Sequence, residues 1–482
     1  MEEMNEYVQQ RIDKLNAIRE IGIEPYGRRF DKPVSIETML KEAKEGNSVQ
    51  TAGRITALRE HGKSSFVDLR DASERIQVYI KVDSIGKDIY TNIFKRLDIG
   101  DILGVRGKFF KTHTGQITIN AEEITILSKG LRPLPEKWHG LKDVDTRYRQ
   151  RYVDLIVNED VRKVFKIRSC IISKIRELLD KNGFLEVETP MMQSMAGGAA
   201  GEPFKTHHNA LDIDLYLRLA PELYLKRLLV GGFDKVYELN RNFRNEGISI
   251  RHNPEFTMIE IYQAYSDCQG MMQLTEEIFN HVAKEIFGAN KIKYGEVEID
   301  LTLPWPRWSF ADEIKRKFDI NPDDSSQDWI KKLQAEGVKF KAKDITRSQI
   351  ANIITEMLEP ETGAKPIFVI DLFSELCPLA KRKKDNPLLT DRFELFMGGM
   401  EIANAYSELN DPIEQKKRFE EQLIGQEGIR KIDEDFVRAL EYGMPPAGGL
   451  GIGIDRMVML FANQPSIRDV ILFPQLKPEV QR

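Results

Sequence analysis

The sequence predicts an α+β protein in two parts, a small N-terminal β-barrel and then a larger antiparallel sheet flanked by helices. Three observations lead there. Residues 49–128 break into short alternating runs (49–55, 65–69, 76–80, 102–110, 116–119 and 124–127) separated by Gly, Asp and Lys turns. Hairpin-like pairs of runs dominate 211–265 and 391–410. Strands and helices do not alternate in the regular order that a parallel α/β sheet requires. At 482 residues the chain is too long for one ordinary domain. Its 41% hydrophobic and 30% charged residues suit a soluble globular protein with a substantial core.

Residues 1–48 read as a helical N-terminal segment, with Val8, Ile12, Leu15, Ile18 and Ile21 at helical spacing and no apolar signal-peptide core. No run approaches the length of a membrane span. Cys170, Cys268 and Cys377 lie far apart without a CxxC pair, which argues against a disulfide framework or a cysteine zinc site. A cytoplasmic protein with no membrane contact is expected. In residues 49–135, five or so strands in so short a span suggest an OB-fold. This stretch carries 14 Lys and Arg against 10 Asp and Glu in a chain of net charge -5, which fits contact with single-stranded nucleic acid. Pattern alone equally allows a structural or protein-binding barrel.

Residues 131–135 (Leu-Arg-Pro-Leu-Pro) form a stiff connector, and 136–145, with Trp138 and His139, read as a linker. The second domain spans 146–482. It opens with a helical pattern over 160–181 that Asn182-Gly183 ends, followed by a strand at 184–187 and Pro190. Residues 318–365 are helical, charged and free of motifs, and read as an insertion. There is no internal repeat or low-complexity tract.

The chemistry concentrates in three segments. Residues 243–256 (Phe-Arg-Asn-Glu-Gly-Ile-Ser-Ile-Arg-His-Asn-Pro-Glu-Phe) set Arg244, Glu246, Arg251, His252 and Phe256 on a loop between strand-like runs at 235–239 and 257–262. That many cations call for a polyanion, and the aromatic offers a face for a nucleobase; a nucleoside triphosphate supplies both. Past the loop, Phe256, Met258, Glu260 and Tyr262 share one strand face, with Phe256 and Glu260 roughly 13 Å apart. Glu260 among apolar neighbours is a buried carboxylate that needs a cationic partner. The second segment runs from Arg392 to Glu408, where Gly398-Gly399 reads as a tight hairpin turn. The turn brings Glu394 and Glu401 onto adjacent strands as two hard oxygen ligands suited to Mg2+. Asn404, Tyr406 and Glu408 then have the opposite parity to Glu401: either a bulge re-aims one set or the two serve different subsites. The third is 448–460, a glycine strand and then a helix start carrying Arg456. Without GK[ST] or a distal acidic residue, it is neither P-loop nor dinucleotide fingerprint. A helix start favours anions, and the Arg456 guanidinium can stack on a base.

Together these segments resemble the signature motifs of the class II aminoacyl-tRNA synthetases. Residues 182–190 are similar to the first motif, which in that class lies at the dimer interface; 243–256 and 449–456 are similar to the second and third. The preceding barrel resembles the anticodon-binding OB-fold of the lysine/aspartate/asparagine subgroup, so the resemblance covers nearly the whole chain. Within the subgroup, Arg244-Asn245-Glu246 and the run from Arg251 to Phe256 are similar to the lysine-specific members. The resemblance implies a homodimer that works with L-lysine, ATP, Mg2+ and tRNA(Lys). The residues favour lysine independently. Glu222, Glu260 and Glu408, with Tyr262, Asn404 and Tyr406, suit a ligand bearing two ammonium groups, whereas an aspartate pocket needs a cation.

The resemblance also assigns roles. Glu222 takes the α-ammonium and Glu408 the ε-ammonium, with Glu260 and Tyr262 assisting and the 196–201 loop, including Gly198, covering the amino acid. Arg244 bridges the substrate carboxylate and the α-phosphate, and Glu394 and Glu401 hold Mg2+. Arg251 and Arg456 meet the outer phosphates of a bent ATP. Phe256 and Arg456 sandwich the adenine, with Glu246 and His252 nearby. In the barrel, Phe66 and Gln77 read anticodon bases and Arg54 contacts phosphate or base. Rival readings are an aspartyl or asparaginyl enzyme, a non-catalytic RNA-binding paralogue, and a ligase that attaches lysine to a protein.

Overall fold

The computed structural model describes residues 2–135, 141–195, 197–199, 201–340, 345–423 and 432–478. Trp138 and His139 of the linker, and Ala196 and Ala200 of the glycine loop, lie outside the described residues. The chain folds as two compact units, residues 1–142 and 143–482.

In the first unit, helices Glu2–Glu20 and Ile36–Lys41 precede β1 (Ser48–His61), β2 (Ser64–Arg70), β3 (Arg75–Lys81), β4 (Ile102–Lys111) and β5 (Ile117–Ser128). These strands close a barrel in the order β1-β2-β3-β5-β4. Its interior is filled by every second residue, Val67 and Leu69 on β2 and Ile76, Val78 and Ile80 on β3, because strand side chains alternate between faces. Ile18, Ile36 and Met39 join the same core, so the N-terminal helices are packed on the barrel. Residues 21–35 between those helices contain neither helix nor strand.

The second unit contains β6 (Leu185–Glu186), a small sheet of β7 (Met192–Gln193), β8 (Lys205–His208) and β9 (Ile213–Leu217), then β10 (Lys235–Phe243) and β11 (Glu255–Ala264). A hairpin of β12 (Lys291–Tyr294) and β13 (Val297–Asp300) follows, then β14 (Arg307–Ser309), β15 (Ile367–Ile370), β16 (Arg392–Met397), β17 (Met400–Ser407) and β18 (Ala447–Gly453). The main sheet has eight strands in the order β14-β15-β16-β17-β18-β11-β10-β6. It is antiparallel throughout its middle and parallel only at its two edges, β14 on β15 and β6 on β10. The strand expected at 184–187 shrinks to two residues, since the helix Glu159–Lys181 has to turn back through Asn182 and Gly183 (φ +78) immediately before it.

One face of the sheet is a continuous apolar layer. Ile259, Ile261, Phe393, Leu395, Ala403, Ala405, Leu450 and Ile452 pack in one core with the buried stripes of helices Glu159–Lys181, Cys268–Phe287 and Ile454–Phe461. Each large aliphatic so buried contributes about 1.5–3 kcal/mol. That layer leaves the opposite face to polar residues. Within 318–365, helices Ser326–Ala335 and Arg347–Glu356 gather a second core around Trp329, Leu333, Ile350 and Ile354, with the Trp329 and Phe373 rings stacked at 5.3 Å. Among the described residues no helix is long and apolar enough to cross a membrane.

Candidate active site

The polar face of the sheet is written in register. Glu238, Glu260, Gly451, Asn404 and Glu394 form one row across five strands, and Val236, Tyr262, Gly449, Tyr406 and Arg392 form the next. The Gly398-Gly399 turn has φ values of +58 and +72, the left-handed pair that a two-residue hairpin requires. The open choice about Glu401 is decided by a bulge: Leu395 faces Ala403 but Phe396 faces Glu401, so β17 carries one extra residue. The bulge turns Glu401 onto the face of Glu394, Asn404 and Tyr406. One site results.

The glycines of β18 make that site possible. A Cβ on Gly449 would lie 1.9 Å from Glu408 Oε1 and 2.6 Å from Tyr262 Cε1, and one on Gly451 would lie 3.2 Å from Met258 Cε. Side chains from β11 and β17 therefore meet over a bare strand. They help line a cleft of about 710 Å³, with Gly198, Glu222, Arg244, Glu260, Tyr262 and Asn404 among its walls. Gly198 adopts φ +83, and a Cβ there would lie 3.4 Å from Glu222 Cβ and 3.5 Å from Ala220 Cβ.

At the amino-acid end the carboxylates differ in state. Tyr406 donates its hydroxyl to Glu222 Oε1 at 2.7 Å, and Tyr262 donates to Glu260 Oε2 at 3.1 Å. The expected cationic partner of Glu260 is not there: Arg218 goes instead to the neighbouring Glu238, 2.6 Å away, whose other oxygen accepts from Thr189. Burial, and then the charge of Glu222, push the Glu260 carboxyl well above the ordinary range, so it keeps its proton and needs no counter-ion. Glu408 lies behind the cleft wall, fully buried, and its partner is Lys226, which the sequence reading missed. Lys226 also reaches Glu222 Oε1 at 2.7 Å. The one legible signal was the four-residue spacing of Glu222 and Lys226, which ordinarily marks a solvent-exposed helix pair.

At the phosphate end, Arg244 lines the cleft and its guanidinium lies 5.2 Å over the Phe256 ring. The expected adenine sandwich would take the base between Phe256 and Arg456, and Arg244 rather than Arg456 is the guanidinium over the Phe256 ring. Arg456 instead donates to the Glu401 carbonyl at 2.6 Å and toward His252 Nε2 at 3.1 Å. Burial, and then Arg456, lower the His252 pKa, so the imidazole is neutral, accepts through Nε2 and donates from Nδ1 to Ser249 Oγ at 2.9 Å. Glu246 and the glycine loop approach each other: a Cβ on Gly201 would lie 3.0 Å from Glu246 Oε1, and the Asn245 N–H donates to the Glu202 carbonyl at 2.7 Å. Arg251 reaches the hairpin turn, its Nη2 4.0 Å from where a Gly399 Cβ would stand.

Glu394 accepts from Arg392 at 2.6 Å. Burial raises its pKa to about 7; Arg392 opposes this, and the like charge of Glu401 adds to it. Sequence reasoning also passed over Arg392 and the helix Arg347–Glu356, whose Ser348, Gln349 and Asn352 line the cleft from the stretch read as motif-free. In the barrel, Phe66 alternates with the buried Val67, so it lies outside the core, where its ring meets Tyr79 at 5.0 Å and Tyr79 meets Phe110 at 5.9 Å. Gln77 accepts from Thr118 at 3.1 Å. Arg54 is already engaged, donating to the Gly100 carbonyl at 2.6 Å.

The family models fall on the same two units of the chain. Residues 143–477 match the tRNA synthetases class II (D, K and N), and residues 49–127 match the OB-fold nucleic acid binding domain. A lysine–tRNA ligase of Pelotomaculum thermopropionicum is 55% identical over 99% of this chain and 96% of its own length. That of Moorella thermoacetica is 52% identical over 99% of both chains, and that of Staphylococcus haemolyticus is 47% identical over 99% of both. The chain is an aminoacyl-tRNA synthetase: it belongs to the class II tRNA synthetases of the D, K and N group and, within them, to the lysine–tRNA ligase family.

Proposed function

We propose that this enzyme joins L-lysine to ATP, giving lysyl-adenylate and pyrophosphate, and then transfers the lysyl group to the 3′ end of tRNA(Lys), releasing AMP. One observation carries the reading. A single sheet face sets an arginine-bearing loop beside a buried set of carboxylates, Glu222 and Glu260 in the cleft wall and Glu408 behind it. An arginine grip suits the polyanion, and the carboxylates suit the ammonium groups of lysine.

In the first step a lysine carboxylate oxygen attacks the α-phosphorus while the bond to pyrophosphate breaks. In the second a terminal ribose hydroxyl attacks the acyl carbonyl and AMP leaves. Neither step needs a protein nucleophile, so positioning and charge stabilisation dominate. Arg244 sits where it can meet both the lysine carboxylate and the α-phosphate. Arg251 and Arg456 meet the outer phosphates, and Phe256 offers its ring to the adenine with Glu246 and neutral His252 beside it. Glu222 takes the α-ammonium. Tyr262 and Asn404 meet the side-chain ammonium, Glu408 attracts it from behind the wall, and protonated Glu260 serves as a hydrogen-bonding neighbour rather than a counter-ion.

Glu394 and Glu401 fit a hard divalent cation. Both donors are oxygens, and the like charge of Glu401 on the buried Glu394 is what a dication relieves. Among the described residues no group of three His, Cys, Asp or Glu side chains could hold a metal alone. Two carboxylates plus substrate phosphates are the usual holders of Mg2+. When bound, the ion neutralises charge on the phosphates. In the barrel, Phe66 and Gln77 take anticodon bases. A homodimer in the cytoplasm completes the reading, supported by the exposed apolar Leu185, Met191 and Met192 around the edge strand β6.

A panel of amino acids in ATP–pyrophosphate exchange tests the substrate. Exchange with lysine alone is expected. Exchange with aspartate or asparagine instead would sink the assignment, and exchange with none would favour a non-catalytic protein.

A further inference from the structure

The mechanism above makes no use of Lys226, the second residue of the Glu222–Lys226 pair. Its side chain is 0% exposed, its Nζ lies 2.7 Å from Glu222 Oε1, and it also pairs with Glu408 Oε2. The ammonium sits 5.6 Å from the Tyr406 ring and 5.9 Å from that of Phe436. An ordinary Glu–Lys pair on a helix is solvated and contributes little. A lysine with no exposure stays charged only where carboxylates hold it. Here those carboxylates are the two assigned to the substrate's ammonium groups.

We propose that Lys226 is a positioning residue for amino-acid recognition: its ammonium bridges Glu222 and Glu408 and fixes both for the incoming substrate. The inference rests on the reading that the cleft takes lysine. Without the bridge, Glu222 and Glu408 would crowd together in a dry pocket with Glu260 close by. Facing the pair are Glu260 and Tyr262 from β11, Tyr406 from β17, and Cys377 and Lys381 from the segment between β15 and β16. Burial raises Glu408, and Lys226 is the foremost of the groups that pull it down, with Lys381 a lesser one. Deleting the ammonium removes the foremost of the groups that hold the Glu408 charge, so its carboxyl moves further up. A protonated acid has lost the charge that attracts an alkylammonium, so binding then requires a proton to leave.

Lys226→Met, which keeps the length and apolar stem, tests this in the full-length enzyme. Lysine KM and ATP KM are measured by ATP–pyrophosphate exchange over roughly pH 6.5–9, where raised carboxylates titrate. The expected result is a lysine KM raised about tenfold or more near pH 7, one pKa unit being a factor of ten, and falling as pH rises. ATP KM stays within about twofold. A wild-type lysine KM at every pH, or lysine and ATP KM rising together with no pH dependence, overturns the proposal. The double variant Lys226→Met with Glu408→Gln leaves one buried carboxylate, Glu222, which keeps the Tyr406 hydroxyl, in place of two, and so is the variant to use if the single one does not fold. Its lysine KM should be raised and flat with pH; a pH-dependent one overturns the proposal too. Wild-type enzyme without lysine-dependent exchange would instead remove the functional reading before any variant is compared.

Discussion

Replacing Gly449 by alanine probes whether the bare glycine strand is what lets the amino-acid pocket close. Gly449 sits in the extended strand β18, so the backbone itself admits alanine. The added Cβ would stand 1.9 Å from Glu408 Oε1 and 2.6 Å from Tyr262 Cε1, whereas unstrained carbon contacts are about 3.5–4.0 Å. Glu408 must therefore retreat by more than about 1 Å. It has little room to do so, being fully buried and paired with Lys226. Tyr262 is likewise held, through its hydroxyl on Glu260 at 3.1 Å. Loosening a buried charged pair costs about 2–4 kcal/mol. If all of it fell on the lysine step, lysine kcat/KM would drop roughly 30- to 900-fold. Any share falling on the fold appears as a lower Tm, so both are measured. ATP KM should move less than about threefold, because the phosphate-end residues stand farther along the same strands, Phe256 on β11 and Glu401 on β17, or on the loop that carries Arg244 and Arg251. Gly451→Ala serves as the steric control: its Cβ is tight only against Met258 Cε at 3.2 Å, the end of a flexible side chain, with Asn404 O at 3.9 Å in ordinary contact, and its cost to the fold should be under about 1 kcal/mol. Gly449→Ala with wild-type lysine KM and wild-type Tm would refute the argument.

Glu394→Gln should raise the Mg2+ concentration for half-maximal exchange by at least about tenfold, with lysine KM little changed; an unaltered Mg2+ titration removes Glu394 from the metal site. Phe66→Ala should raise the tRNA KM in aminoacylation by roughly 5- to 150-fold, the value of about 1–3 kcal/mol per stacked base, and leave ATP–pyrophosphate exchange untouched. Normal tRNA KM would exclude Phe66 from anticodon contact. Asp71 gives a pH signature for the barrel unit. Burial pushes its carboxyl up, but hydrogen bonds from Lys32, Ser73 and the N–H groups of Ile36 and Glu74 outweigh that and hold it well below the usual range. A depressed folded pKa contributes stability above the unfolded value of about 3.9 and loses it as pH falls toward the folded pKa. Asp71→Asn should therefore lower the Tm at pH 7, and the gap between variant and wild type should narrow below about pH 4. A gap that stays constant with pH would show that the charge of Asp71 is not what stabilises.

Much of this architecture follows from local pattern. Alternation in 65–69 and 76–80 marks barrel strands because side chains on a strand change face at every residue. Gly398-Gly399 marks a hairpin because only glycine takes two successive left-handed conformations cheaply. The shared parity of Phe256, Met258, Glu260 and Tyr262 already placed them on one face, and the glycines of 448–453 already announced a close approach. What approaches could not be read, since it is set by β11 and β17, whose pairing with β18 no local pattern records.

The sequence by itself determined which segments carry the chemistry and which chemistry their residue types can support. Tertiary structure alone decided three matters, each of them long-range. The extra residue in β17 aims Glu401 at Glu394, because register depends on the pairing of two strands rather than on either one. The polar face of helix Arg347–Glu356 reaches the cleft, because the core around Trp329 carries it there. Finally, burial fixes the state of the carboxylates. Glu260 keeps a proton and Glu408 keeps Lys226, because a charge withdrawn from water has to find a partner or be neutralised. No pattern of spacing along the chain records how dry its surroundings become.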